Sequence, residues 1–324
     1  MFFWMALFSC LFSMALTPIA SWIGWRIGAL DIPKDWRRMH REAIPRCGGI
    51  AILLSFMVSC LAAREASAFL QFAFLGSGLF FLLGLLDDVF SLGALGKIMF
   101  QIPIATLSVL WSGMAHGKNI PLAIFWILLL VNAHNFVDGL DGLFAGTAAL
   151  EGGALAVCFL LLQEPYYALP PLLLSAACLG FRHFNRFPAR IFAGDCGSQS
   201  VGFLLGYLSL PLLLDISRGV GMLSPLFLFA YPLTDLFTAV LRRILRGKNL
   251  FAADRAHLHH RICDAGVSHA RCTDLLHLIC GAMAGIGVLL CNGQSLLFAG
   301  IACLLTAFLL VRLRFFIVNF GQSY

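Results

Sequence analysis

The chain has 324 residues, 60% of them hydrophobic and 12% charged, with a formal net charge of +6 at pH 7. A mean hydropathy of +0.90 leaves too little polar surface to enclose a soluble globule of this length, which excludes a cytosolic protein and points to an integral membrane protein.

A helix needs about 20 mostly apolar residues to cross a hydrocarbon core of ~30 Å. Eleven such segments are expected, at 2–24, 48–63, 67–86, 98–115, 120–134, 143–162, 166–181, 199–214, 219–240, 274–291 and 295–311. Met1-Phe2-Phe3-Trp4 opens the first without a basic stretch, so it reads as a retained helix rather than a cleaved signal peptide. Cytoplasmic loops retain Lys and Arg. With the N-terminus outside, 19 of the 22 basic residues lie on the inner side, leaving Arg64, Lys118 and Arg218 outside. The expected fold is therefore all-α, a single polytopic domain over 1–324, N-out and C-in, with its working face cytoplasmic. The eleven cysteines form no C-x-x-C pair, and most fall inside the spans, so neither zinc nor a disulfide framework is indicated.

Polar clusters interrupt this pattern on the inner side. After the third span, Leu86-Asp87-Asp88 sets two carboxylates side by side, with Lys97 at the next span. Adjacent like charges raise one pKa or demand a cation, although a solvated helix end is the competing reading. After the fifth span comes Asn132-Ala133-His134-Asn135-Phe136-Val137-Asp138-Gly139-Leu140-Asp141-Gly142-Leu143, rich in the hard oxygen ligands that suit Mg²⁺. Polar groups in so apolar a run are costly and mark function. A third cluster, Gly194-Asp195-Cys196-Gly197-Ser198, offers a carboxylate and backbone N–H groups at a helix start, or an ordinary N-cap. The fourth, Asp254-Arg255-Ala256-His257-Leu258-His259-His260-Arg261, lies in the longest basic loop and suits phosphoryl oxygens better than a transition metal. Acidic oxygens for Mg²⁺ and cations for phosphate on one membrane face indicate phosphoryl transfer at the bilayer surface.

These four motifs, in this order, together with Asp31-Ile32-Pro33, His40, Pro45-Arg46 and Gly48-Gly49, resemble the polyprenyl-phosphate N-acetylhexosamine-1-phosphate transferase family. The resemblance covers nearly the full length. It implies transfer of a sugar-1-phosphate from a UDP-N-acetylhexosamine to undecaprenyl phosphate with release of UMP. It also implies Mg²⁺, with Mn²⁺ as a substitute, held by Asn135 and Asp195. Asp87 and Asp88 match the family's acidic pair, with Asp87 expected to deprotonate or orient the lipid phosphate; Asp138 and Asp141 match the next pair. The substrate-binding set is Asn132, Lys97, Arg255, His257, His259 and His260. His-x-His-His in place of a Pro-x-His-His-His motif favours the GlcNAc-transferase branch, with N-acetylfucosamine, N-acetylquinovosamine and N-acetylgalactosamine left open. The expected setting is a bacterial inner membrane, as the first step of a surface polysaccharide such as O-antigen. Partners are membrane lipid and the two substrates, with a homodimer left open and no nucleic acid. An ion-coupled transporter is the alternative raised by Glu151 and Asp235, but there is no inverted repeat and the clusters gather on one face. Glu151 has no partner that the sequence names.

Overall fold

A computed structural model describes residues 2–33, 42–63, 67–216, 219–247, 262–263, 265–291 and 300. Apolar runs of this length satisfy their backbone groups internally only as helices, and the described chain is helical nearly throughout. The elements are α1 (Phe2–Ile27), β1 (Leu30–Asp31), β2 (Ile44–Pro45), α2 (Gly49–Ala62), α3 (Ala68–Phe90), α4 (Ala94–Ser112), α5 (Asn119–Val137) and α6 (Leu143–Leu161). They continue with α7 (Pro165–Asn185), α8 (Gly194–Leu208), a π-helical turn (Leu212–Ile216), a 3₁₀ turn (Gly219–Leu223), α9 (Ser224–Leu228), α10 (Ala230–Leu245) and α11 (His269–Cys291). Six of these helices are long and apolar enough to cross a membrane, and a seventh span arises if the segments on either side of Phe229, bent by 69°, count as one. Large side chains such as Trp4, Leu82, Phe100, Phe125 and Leu278 are more than half exposed around the outside, as a lipid-facing surface requires.

Several helices outrun their apolar stretches. α3 continues to Phe90, α4 begins at Ala94 and α8 begins at Gly194 rather than near 199, so polar residues expected in loops ride on helix ends. α5 likewise runs to Val137, carrying Asn132 and Asn135 on a helical face. Backbone hydrogen bonding, not hydropathy, ends a helix, and a turn projecting past the hydrocarbon has no reason to unwind.

α8 is the centre of the bundle: every residue from Gly194 to Leu208 is buried, against α2, α3 and α5. Its Gly, Ser and Gln content weakens the hydropathy signal and explains the packing, since small residues let helix backbones approach. A Cβ on Gly202 would stand 2.9 Å from Leu130 O of α5. From the other side, a Cβ on Gly84 of α3 would collide with the carbonyl of Asp195. Backbone on both sides cannot yield, so Gly84→Ala is expected to cost about 1–3 kcal/mol, read as a lower Tm in detergent.

β1 and β2 form a two-residue antiparallel pair, Leu30 opposite Pro45 and Asp31 opposite Ile44, a minor addition to an all-α fold. Its consequence lies further on: Phe192 N donates to Pro45 O at 2.8 Å and Gly48 N to Phe192 O at 2.9 Å. The strand thereby ties the start of α8 to the segment carrying Arg46.

Candidate active site

The C-terminal ends of α3 and α5 and the N-terminal ends of α4 and α8 meet at one end of the bundle. Asp195, in the first turn of α8, is the hub. Its Oδ2 accepts from Lys97 Nζ at 2.7 Å, Asn135 Nδ2 at 3.0 Å and Gln199 Nε2 at 3.4 Å, and its Oδ1 from Arg46 at 3.4 Å. Lys97 also reaches Asp87 Oδ2 at 2.6 Å, so one ammonium bridges two carboxylates from different helices.

Asp88 does something else. Its Oδ1 accepts from Asp195 N and its Oδ2 from Cys196 N, both at 3.0 Å, while Arg46 Nε lies 3.5 Å from Oδ1. The side chain is fully buried and caps the N-terminus of α8 with both oxygens. That cap requires Gly194: its φ of +74° is left-handed, and a Cβ there would collide with Arg46 O.

Asp138, just past the end of α5, accepts the Gly194 backbone N–H. Burial pushes its carboxyl up to about 7; Arg46 opposes this, and the Asp195 and Asp88 charges add to it. Burial alone would lower the pKa of Arg46, but Asp88, Asp195, Asp138 and Asp87 hold it above the ordinary guanidinium value.

The structure thus brings Asp87, Asp88, Lys97, Asn135, Asp138 and Asp195 together. Asn132 stands behind them, donating to Gln101 Oε1 at 3.1 Å; Gln101 donates to Gln199 at 3.0 Å, and Gln199 to Asp195. Asp141 faces another way: its Oδ2 accepts from Ala189 N at 2.9 Å, and its carbonyl takes a bond from Thr273 at 3.3 Å. Arg255, His257, His259 and His260 lie outside the described residues, as does His40. Gln101 and Gln199 are site residues that sequence reasoning missed, and their signal was a lone amide in each of two apolar helices. Glu151 does have a partner, His134 Nε2 at 2.6 Å.

Four carboxylates (Asp87, Asp88, Asp138, Asp195) surround two fixed cations (Arg46, Lys97), so the cluster holds two more acidic groups than fixed cations. Among the described residues no three acidic, His or Cys side chains form a ready cage. An oxygen-rich, under-neutralised site of this kind fits a hard divalent cation that takes one or two protein oxygens and fills its shell with phosphate and water.

A helical body with membrane-capable spans and this charged cluster at one end is that of a membrane protein that handles charged groups near the end of its bundle. The family model described as "Glycosyl transferase family 4" matches residues 69–212, from α3 to the start of the π-helical turn. The chain is 32% identical to the probable undecaprenyl-phosphate N-acetylglucosaminyl 1-phosphate transferase of Bacillus subtilis, over 84% of this chain and 80% of that one. It is 33% identical to the decaprenyl-phosphate N-acetylglucosaminephosphotransferase of Mycobacterium tuberculosis, over 80% and 75%. It is 27% identical to the undecaprenyl-phosphate alpha-N-acetylglucosaminyl 1-phosphate transferase of Yersinia pestis, over 94% and 88%. The chain belongs to the polyprenyl-phosphate N-acetylhexosamine-1-phosphate transferase family.

Proposed function

We propose that the protein transfers GlcNAc-1-phosphate from UDP-GlcNAc to undecaprenyl phosphate, giving undecaprenyl-pyrophosphoryl-GlcNAc and UMP. The observation that carries this reading is the junction of Asp87, Lys97, Asn135 and Asp195, where a carboxylate-held cation meets acidic oxygens at one end of a membrane bundle. The names of the relatives support the acceptor and the sugar.

A lipid phosphate oxygen attacks the sugar-bearing phosphorus, and the bridging P–O bond to UMP breaks. One pyrophosphate link is exchanged for another without net proton change, so the step is close to balanced and catalysis is mainly positioning and charge neutralisation. Mg²⁺ held by Asn135 and Asp195 would supply charge neutralisation at the donor pyrophosphate. Lys97, fixed between Asp87 and Asp195, presents an ammonium to incoming phosphate, while Arg46 adds a planar donor fork. Asp87 orients the acceptor. Asp138, tied to the backbone of Gly194, orders the shell around Asp195. Asp88 keeps the α8 terminus in place. Asp141, by holding the backbone at Ala189, shapes the neighbouring loop where the nucleotide would lie. Arg255, His257, His259 and His260 would take the donor pyrophosphate.

Direct in-line attack is preferred, because the nucleophile already carries charge; trapping a phospho-enzyme at Asp87 or Asp138 with UDP-sugar alone would overturn that preference. The setting proposed is a bacterial inner membrane with eleven spans, N-out, and the site facing the cytoplasm, at the first step of a surface polysaccharide such as O-antigen.

Membranes supplied with undecaprenyl phosphate, Mg²⁺ and a panel of UDP-N-acetyl sugars are expected to release UMP fastest with UDP-GlcNAc. EDTA is expected to stop release and added Mg²⁺ or Mn²⁺ to restore it. No UMP with any sugar would refute the function, whereas turnover unchanged by EDTA would refute only the metal.

A further inference from the structure

We infer that His134 and Glu151 form a positioning pair that sets the rotation of α5 and so holds Asn135 against Asp195. Both side chains are fully buried, with Nε2 and Oε2 2.6 Å apart. His134 Nδ1 lies 2.8 Å from Leu130 O. A carbonyl only accepts, so Nδ1 carries a proton, and one further proton sits between Nε2 and Oε2. Whichever atom holds it, the pair is neutral as a unit, which is how two titratable groups persist in an apolar interior.

The geometry gives the pair leverage over the site. α5 and α6 approach each other closely at few backbone positions, and this bond joins them there. The His134 ring is packed edge-on by Phe144 and Phe229, each 6.5 Å away between centroids, and its Cβ faces Gly202 of α8. His134 is therefore wedged in place. Asn135 is the next residue, about 100° further round the same helix. A rotation of α5 by about 20° would carry a side-chain tip, 5–6 Å from the axis, through roughly 2 Å. The 3.0 Å bond from Asn135 to Asp195 does not survive such a shift. On the opposite side the amides of Asn132, Gln101 and Gln199 hold α5 to α4 and α8, so the helix is clamped from two directions. Glu151 and His134 touch neither the cluster nor, on the proposed reading, the substrates; they act through Asn135.

The kinetic part of the test rests on the transferase reading, and the stability part does not. Full-length protein is purified as wild type, Glu151→Gln, Glu151→Met and the apolar double variant His134→Phe/Glu151→Met. A Gln at 151 donates its amide to Nε2 and keeps the pair neutral, so its kcat is expected within about twofold of wild type. Met matches the length without a donor, and its kcat is expected to fall about 10- to 100-fold, with KM for both substrates within about twofold. The double variant restores packing and is expected to recover Tm but not kcat. In a thermal double-mutant cycle, Glu151→Met and Asn135→Ala are expected to be less than additive, because the first already loosens the bond that the second removes. Additive Tm changes, or wild-type kcat in the double variant, would overturn the inference. If the wild type itself releases no UMP, the functional reading fails and the cycle alone decides the pair.

Discussion

Replacement of Asp195 by alanine is expected to lower the rate of UMP release by about a thousandfold or more, at unchanged protein level in the membrane. Loss of one preorganised electrostatic partner at a reacting centre typically costs about 10²–10³ in kcat. Asp195 exceeds that case because it is the common acceptor for Lys97, Asn135, Gln199 and Arg46. Without it, among the described residues Lys97 keeps its ion pair with Asp87 and Arg46 its close contact with Asp88, and the Asn135 amide swings free of its anchor. Asp195→Asn is expected to rescue little, because in either amide orientation its Nδ2 would face donors, Arg46 on one side or the three now held by Oδ2 on the other, and the charge is lost. UMP release measured on matched membranes checks this, and residual activity within tenfold of wild type would show that the hub is elsewhere.

Asp88→Ala is expected to act first on the fold. Both of its oxygens accept backbone N–H groups of α8, those of Asp195 and Cys196, while Asp138 takes only that of Gly194. Removing the carboxylate leaves two buried N–H donors unsatisfied and takes one of the two close carboxylates from Arg46. Breaking a buried charged pair costs about 3–5 kcal/mol. Arg46 is about one-third exposed, which places the expected loss at the lower end, near 3 kcal/mol. A fall in Tm of roughly 4–6 °C in detergent corresponds to that loss. Asp88→Asn should recover less than half of it, because one amide nitrogen would meet a backbone N–H head-on. A Tm within 2 °C of wild type, on the same rough scale, would contradict the capping role.

The contrast between Asp88 and Asp87 shows where sequence reading stops. Two adjacent aspartates are indistinguishable as letters, and both read as reaction groups. Successive side chains on a helix point about 100° apart. One therefore meets Lys97 while its neighbour meets the backbone of α8. Asp141 separates from Asp138 because α5 ends at Val137 and the chain turns between them, so its carboxylate goes to Ala189. The amides Gln101 and Gln199 were legible only as anomalies, since nothing local says that a Gln on α4 and a Gln on α8 share a bond. Glu151 was the clearest such anomaly. Its partner lies 17 residues back, a separation that no helical periodicity links.

What the sequence by itself determined was the medium, the helical class and the family. Hydropathy sums over many residues and survives errors at single positions, and four ordered motifs are specific without any geometry. Helix ends were misplaced, because polar terminal turns carry no hydropathy signal, and α8 read as an ordinary span although it is wholly enclosed by protein. Only the tertiary structure decided which carboxylate is the hub, which is a cap, and how Arg46 is delivered to both through the short β1–β2 pair. Those assignments depend on directions and distances of a few ångströms between segments as much as 149 residues apart, and hydrogen bonds and close ion pairs are made or lost on that scale.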